Sequence, residues 1–517
     1  MPRSPRPVIR LLAAVAVALS FTLSLAACGA TGSTASATGS RGDVLRFPTT
    51  NPESLDPAKV NQAATLPRLA YASLLAVDDD GEYVGLLGDH WSWDDDTYTS
   101  LTVTLRDGLV FSDGDALTAD AVVDSYAYFL ATGGPNASNY SDVTIAKVDD
   151  LTVRYTSASP NPNLPMLLTD TYYGGSPISP TGIADPTRLE TESHGAGPYV
   201  YDTIASGVEY TLVANDTYFD QSQIHFDSID APVLTSESSR TAALLSDQVD
   251  LVFSSVSTTW AQTVAANDDL TLTVGLPAWI GLELIDTQGE VVPALANLEV
   301  RQALMYALDR DAITQAVYGS DAQPRVQAAN ATWLGFDEAL EDTYPYDVDK
   351  AKALLADAGY ADGFTLPVAV TAGDVSETLL QAVGGYLDAV GITLEIDSVP
   401  DIAGLLSAMT SGTIAGIALP NAQATVAQFV SAVYAPNAVL NPLGEDYSEI
   451  TTMVAAANAS NSEADWQAII QYINEQALTI PVSNAPDIWI SGPDVDVSDA
   501  VNPATSQFDV LRVRAAS

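Results

Sequence analysis

One stretch constrains the fold more than any other: residues 98–130, which read YTSLTVTLRDGLVFSDGDALTADAVVDSYAYFL. Leu101, Val103 and Leu105 alternate with Thr102 and Thr104, which predicts a strand with one buried face. Arg106-Asp107-Gly108 interrupts the alternation with turn-forming residues, and Asp113-Gly114 does so again. Thr118 then stands where a helix cap belongs, with Asp120 in the first turn, where the helix dipole favours an anion. Val122, Val123, Tyr126, Phe129 and Leu130 fall on one apolar face of that helix. By its residues the stretch is a strand, a double turn and a capped helix.

The wording of this stretch resembles the signature of the family 5 extracellular solute-binding proteins, the peptide- and nickel-binding receptors of ABC importers. Leu105–Gly108 (LRDG), Phe111, Asp113-Gly114 and Leu117–Val122 (LTADAV) match it, while Ala121 stands where an acid is usual. Further matches follow along the chain. They are Ser54–Pro57 (SLDP), Gly195–Tyr199 (GAGPY, with Ala196 for threonine) and Asn215–Phe219 (NDTYF). The strings Val300–Gly319 (VRQALMYALDRDAITQAVYG) and Asp347–Tyr360 (DVDKAKALLADAGY) are close to the family pattern throughout.

Local chemistry places elements independently of that resemblance. Asp78–Gly81 reads as a hairpin turn, and Val44–Phe47 and Val148–Tyr155 read as strands. Asn297, Asp309 and Asp347 are placed to cap helices, and Gly359 sits where a left-handed C-cap belongs. A short helix is expected over Thr241–Asp250 before a buried strand at Leu251–Phe253. Leu366–Val370, a helix near Glu377–Ala389 and Ile392–Val399 form a β-α-β unit with parallel strands.

The N-terminus carries Arg3, Arg6 and Arg10, then an apolar run from Leu11 to Ala27. That run is short for a membrane span and ends in small residues, so residues 1–27 are expected to be a secretory signal. Leu25-Ala26-Ala27-Cys28-Gly29 resembles a bacterial lipobox, which makes Cys28, the only cysteine, the expected lipidation site. Residues 28–42 hold small and polar types that cannot bury a core, and read as a flexible tether.

With 517 residues and 47% hydrophobic content the chain has material for more than one lobe. The resemblance implies an α/β fold, the two-lobed periplasmic-binding-protein type II fold with an extra subdomain inserted in the first lobe. Its expected boundaries are 43–60, 195–283 and 482–517 for lobe I, 61–194 for the insertion and 284–481 for lobe II. Ligand then binds between lobes that close on it by a hinge motion.

The formal charge of −47 disfavours nucleic acid as a partner, since phosphate contacts need a basic patch. The reading for such a surface is solubility, with steering of cationic solutes as the alternative. His90, His194 and His225 are too widely spaced for a helical metal-binding pair, and no phosphate-loop, nucleophile-elbow or dinucleotide pattern occurs. No cofactor and no catalytic residue is therefore expected, although 66 acids leave a glycosidase pair open on composition alone.

For the cleft, Trp260, Trp279 and Trp333 are candidate ligand contacts, because a rigid ring gives large contact area at little entropic cost. Packing of each ring inside a lobe is the competing reading. From Ile402 to Gly444 no charged residue or histidine occurs. In the peptide-binding relatives this region holds, just after a strand, an aspartate for the ligand's α-amino group. Here the strand Ile414–Leu419 is followed by Pro420-Asn421-Ala422-Gln423, so Asn421 and Gln423 offer amides and no charge. Asn61, on the opposite lobe, likewise stands where relatives often carry an acid. A ligand neutral at that end is expected.

The expected function is that of a lipid-anchored, monomeric receptor on the outer face of a bacterial membrane. It captures an oligopeptide or peptide-like solute and delivers it to an ABC permease and ATPase. The alternatives are a binder of an uncharged solute such as an oligosaccharide, a surface receptor without transport, and a surface hydrolase.

Overall fold

In the computed structural model the opening strand and helix form as their residues dictate. The strand is Ser100–Leu105, with Leu101, Val103 and Leu105 buried. It lies inside a four-stranded antiparallel sheet ordered 88–93, 100–105, 152–157, 143–147. Gly108 and Gly114, at φ 76° and 91°, make the two turns that other residues would strain to make. The Thr118 hydroxyl accepts from the Ala121 N–H and caps the helix Ala119–Thr132, which ends at a left-handed Gly133. Tyr126 and Phe129 lock its inner face, each ring edge-on to Tyr140 at 5.9 and 5.2 Å. Val123 and Leu130 sit only partly buried at the margin of that face.

The structure describes residues 42–61, 64–254, 260, 263–373, 375–436 and 438–516. The expectations for the signal segment, for Cys28 and for the tether up to residue 41 lie outside these residues. Among the described residues no helix is long and apolar enough to cross a membrane.

A second four-stranded sheet, ordered 42–46, 226–232, 209–214, 199–205, begins with a parallel pair. Its core is continuous with that of the first sheet. Leu45, Leu101, Tyr155, Leu212 and Ile229 belong to one buried cluster, so the segment 61–194 shares a core with the sheet that flanks it. Separate buried clusters are built from the 278–482 region. One surrounds the parallel strands Phe364–Thr371 and Ile392–Val399 with the helix Val375–Asp388 between them, as expected for a β-α-β unit. Asn297, Asp309 and Asp347 each cap a helix, and Gly359 takes φ 88°.

Three elements differ from expectation. The strand expected over Val148–Tyr155 begins only at Thr152, because Asp149 turns the chain by accepting from the Leu151 N–H at 3.0 Å. The helix expected over Thr241–Asp250 runs Glu237–Leu245, because Ser236 caps it earlier. The strand expected over Ile414–Leu419 shrinks to Gly416–Ile417, wedged between neighbouring strands so closely that a Cβ on Gly416 would meet Leu282 at 2.9 Å.

Two long antiparallel strands, Thr271–Leu284 and Thr479–Ser491, join the parts. They pair from Thr271 with Ser491 to Glu283 with Thr479, interrupted by irregularities at Gly275/Ala278 and Ile280/Gly281. Ile488 and Ile490 pack at one end with Val252, and Ile280, Leu282, Ile480 and Val482 pack at the other with the β-α-β core. Separate buried clusters thus pack on the two ends of the same pair of strands.

Candidate functional site: an acidic cavity at the paired strands

A cavity of about 460 Å³ opens beside the irregular part of the two long strands. One side is formed by residues 47–53 and 64–69 and by the C-terminal segment 507–511, the other by Tyr318, Val375, Pro420 and Ala422. Pro277, Ala278, Ala485, Pro486, Asp487 and Trp489 form its back. Its size lies within the roughly 300–1,000 Å³ typical of small-solute sites.

The aromatic part of the wall is Phe253, Trp489 and Phe508. Trp489 and Phe508 stack with centroids 4.1 Å apart and planes 12° from parallel, and Phe253 leans on Trp489 at 5.4 Å. The charged part is Glu53, Asp487, Asp509 and Arg68. Glu53 sits at the start of the short helix Leu66–Ala70 and accepts from the N–H groups of Thr65 and Leu66 at 3.0 and 2.9 Å. Burial pushes its carboxyl up to about 6, against the pull of those bonds and of Arg68. Burial alone pushes Asp487 up to about 6. Asp509 is raised by burial and by Asp170, against a bond from the Leu511 N–H and the charges of Arg512 and Arg68. Its side chain still exposes 47% of its surface, so solvent in the cavity screens that effect. Burial works to lower the Arg68 guanidinium, and Asp170, Tyr173 and Asp509 more than offset it, so Arg68 stays charged.

None of the residues expected at the ligand lines this cavity. Trp260 is 1% exposed, packed with Val252, Ile488 and Ile490, and its Nε1 donates to Glu237 at 2.5 Å. Trp279 and Trp333 bracket Phe429 at 5.8 and 6.1 Å inside a buried cluster with Val430 and Trp466. All three tryptophans thus take the packing role. Trp279 leaves the cavity because strand residues alternate, and the irregularity after Gly275 puts Ala278 at the wall instead. Asn421 is 3% exposed and pairs main chain to main chain with Trp279, while its neighbours Pro420 and Ala422 reach the wall. Gln423 is half-buried away from the wall, and Asn61 is exposed, its carbonyl accepting from the Ala64 N–H at 3.3 Å. The amide at 421 therefore says nothing about the charge of the cavity, which carries three acids. Phe253, Trp489 and Phe508 escaped notice because they come from distant strands and loops. The acids escaped because 66 of them are spread along the chain.

A serine, a histidine and an aspartate also meet, away from the cavity. Ser179 Oγ donates to Asp113 Oδ2 at 2.5 Å, and His194 Nδ1 lies 2.7 Å from the same oxygen. A nucleophilic triad needs the serine on the histidine's other nitrogen. Here Ser179 also caps the helix Pro180–Ala184 through the Gly182 N–H, and His194 is 1% exposed. The trio ties the fold together.

Comparison with known proteins agrees with this architecture. Heme-binding protein A of Haemophilus influenzae is 29% identical over 245 residues, 46% of this chain and 43% of that protein. The oligopeptide-binding protein OppA of Bacillus subtilis is 24% identical over 428 residues, 74% of this chain and 76% of that one. The glutathione-binding protein GsiB of Salmonella paratyphi A is 26% identical, with 62% of each chain covered. The match thus spans less than two thirds of two of these three relatives. Among solved structures, the ABC transporter substrate-binding protein CtaP of Listeria monocytogenes superposes with TM-score 0.80 at 22% identity, covering 92% of this chain and 100% of that one. DppA of Helicobacter pylori in complex with the peptide STSA gives 0.74 at 19% identity, covering 92% and 99%. The fold is thus the two-lobed one of these binding proteins, and the relatives are binding proteins, not enzymes. The model of the bacterial extracellular solute-binding proteins, family 5, matches residues 82–435, and the chain belongs to that family.

Proposed function

We infer that the protein is the lipid-anchored receptor of an ABC importer, capturing an oligopeptide or peptide-like solute between its lobes. The observation that carries this reading is the cavity of about 460 Å³ at the two strands shared by both cores. A solute there touches both parts at once and rewards their closure. The binding of oligopeptides, glutathione and a tetrapeptide by the named relatives supports a peptide-like ligand. Lipidation at Cys28 and delivery to a permease and ATPase are part of the proposal, as are a monomeric state and the division into lobes at 43–60, 195–283 and 482–517 against 284–481.

The test of capture is a thermal-shift and calorimetric screen of a peptide and oligosaccharide panel on protein starting after Cys28. A ligand at about 100 times its Kd adds ~2.7 kcal/mol of stability. Some peptides should raise Tm and return chemically unchanged, whereas a response confined to oligosaccharides, or turnover of any compound, overturns the reading. Cys28→Ser should abolish labelling by a palmitate analogue and release the protein from the membrane, since stable anchoring needs acyl chains. A mutant that still labels refutes the anchor.

A further inference from the structure

The charged groups of the cavity wall fall into two sets. Arg68 is matched by Asp170 and Asp509, and Glu53 is held by two backbone N–H groups. Asp487 stands apart. Among the described residues no side chain or backbone donor bonds to its carboxylate, and burial is the sole influence upon it. Its main chain pairs with Gly275 at the irregularity in the long strands, so the carboxylate projects from the back wall where the strands bend. Trp489 lies two residues on, on the same face, and brings Phe508 and Phe253 with it. Asp487 is half-buried at the wall, and a carboxylate that loses water on closure without gaining a cation is costly.

We propose that Asp487 is the anchor for a cationic group of the ligand, such as the free α-ammonium of a peptide-like solute, whose adjoining apolar group lies against the Phe253–Trp489–Phe508 wall. This rests on the reading of the cavity as the solute site. It reverses the expectation of a neutral ligand end, which was built on Asn421, an amide that does not face the cavity. The ammonium supplies the missing charge on closure, when water is displaced and the pair strengthens. Protonation removes the anchor. With Asp487 raised to about 6, affinity falls as pH drops through that value. Glu53 titrates in the same range and Arg68 and Asp509 face the same space, so only a variant separates their contributions.

The experiment is calorimetry and native mass spectrometry on a tripeptide library with free amino termini and on its N-acetylated twin, using wild-type protein and Asp487→Asn. Free peptides should bind wild type, their acetylated twins should bind at least about thirtyfold more weakly, and D487N should lose the same factor for free peptides only. The acid limb of the affinity profile should flatten in D487N. The variant's own Tm at pH 7 should equal or exceed wild type, because a half-buried, unpaired charge has been removed. A merely structural aspartate would lower it. Equal binding of free and acetylated peptides by both proteins overturns the anchor and leaves peptide capture standing. If neither library binds, both the anchor and the peptide reading fall.

Discussion

Glu283, on the strand Thr271–Leu284, is 1% exposed, and burial pushes its carboxyl up to about 7. The side chains of Thr479 and Asn421 stand near enough to favour the charged form somewhat, yet neither carboxylate oxygen has a well-formed hydrogen bond. No cation contributes to its titration. Moving from an ordinary value of 4.5 to about 7 means that the charged form costs about 3 kcal/mol in the folded state. The sign follows from linkage. Folded Glu283 holds its proton to a higher pH than the unfolded chain does. Its stabilising effect is complete below about 4.5 and is lost as pH rises to about 7. Glu283→Gln removes the titration. The Asn421 side chain stands beside it, and Asn421 Oδ1 is buried without a hydrogen-bond partner. The variant should therefore gain about 3 kcal/mol over wild type at pH 8, or about 1–2 if its amide is left partly unpaired. At pH 4.5 the two should be equal. Urea denaturation of both proteins from pH 4.5 to 8.5, read as the difference between them, cancels the titration of Glu53 and Asp487. A variant no more stable than wild type at pH 8, or a difference that does not grow with pH, would refute the picture of an unpaired buried carboxyl.

Two further outcomes test the placement of residues. Burial works to raise Asp113, but bonds from Ser179 and His194 outweigh it and hold the carboxyl below its ordinary value. That stability is present above the unfolded pKa and lost as pH falls through the folded one. Asp113→Asn should cost about 1–3 kcal/mol at pH 7 and much less at pH 2.5 in urea melts, and an equal cost at both would refute the assignment. Trp279→Ala should cost about 3–5 kcal/mol by deleting the ring against Phe429. Trp489→Ala should instead reduce solute affinity more than stability, and calorimetry beside urea melts will detect a reversal of the two.

None of the residues expected at the ligand lines the cavity, although segments next to them do. Pro420 and Ala422 line the cavity, while Asn421 between them is 3% exposed and does not. A period of two makes a one-residue error complete, and no property of Asn421 reveals which way it points. For Trp279 the irregularity between Gly275 and Ala278 decides the facing, and only the pairing with the strand Thr479–Ser491 creates that irregularity. Asp487 looks like any other acid in a chain with 66, and its distinction is the absence of a partner, which is a property of its surroundings.

What the chain determined by itself was local. The alternation from Leu101 to Leu105 and the caps at Thr118, Asn297, Asp309 and Asp347 act over a few residues, so their chemistry can be read in order. The family motifs likewise lie in unbroken runs. The tertiary structure alone decided which groups face one another across long separations. Phe253 meets Trp489 because the strand Leu251–Ser254 pairs with Thr479–Ser491, and Trp489 in turn stacks on Phe508, while Arg68 and Asp509 come together from the two ends of the chain. Burial and charge balance at Glu283 and Asp487 belong to the same class. They depend on what the rest of the chain brings within a few ångströms, and the strength of a charge depends on that neighbourhood more than on the residue that carries it.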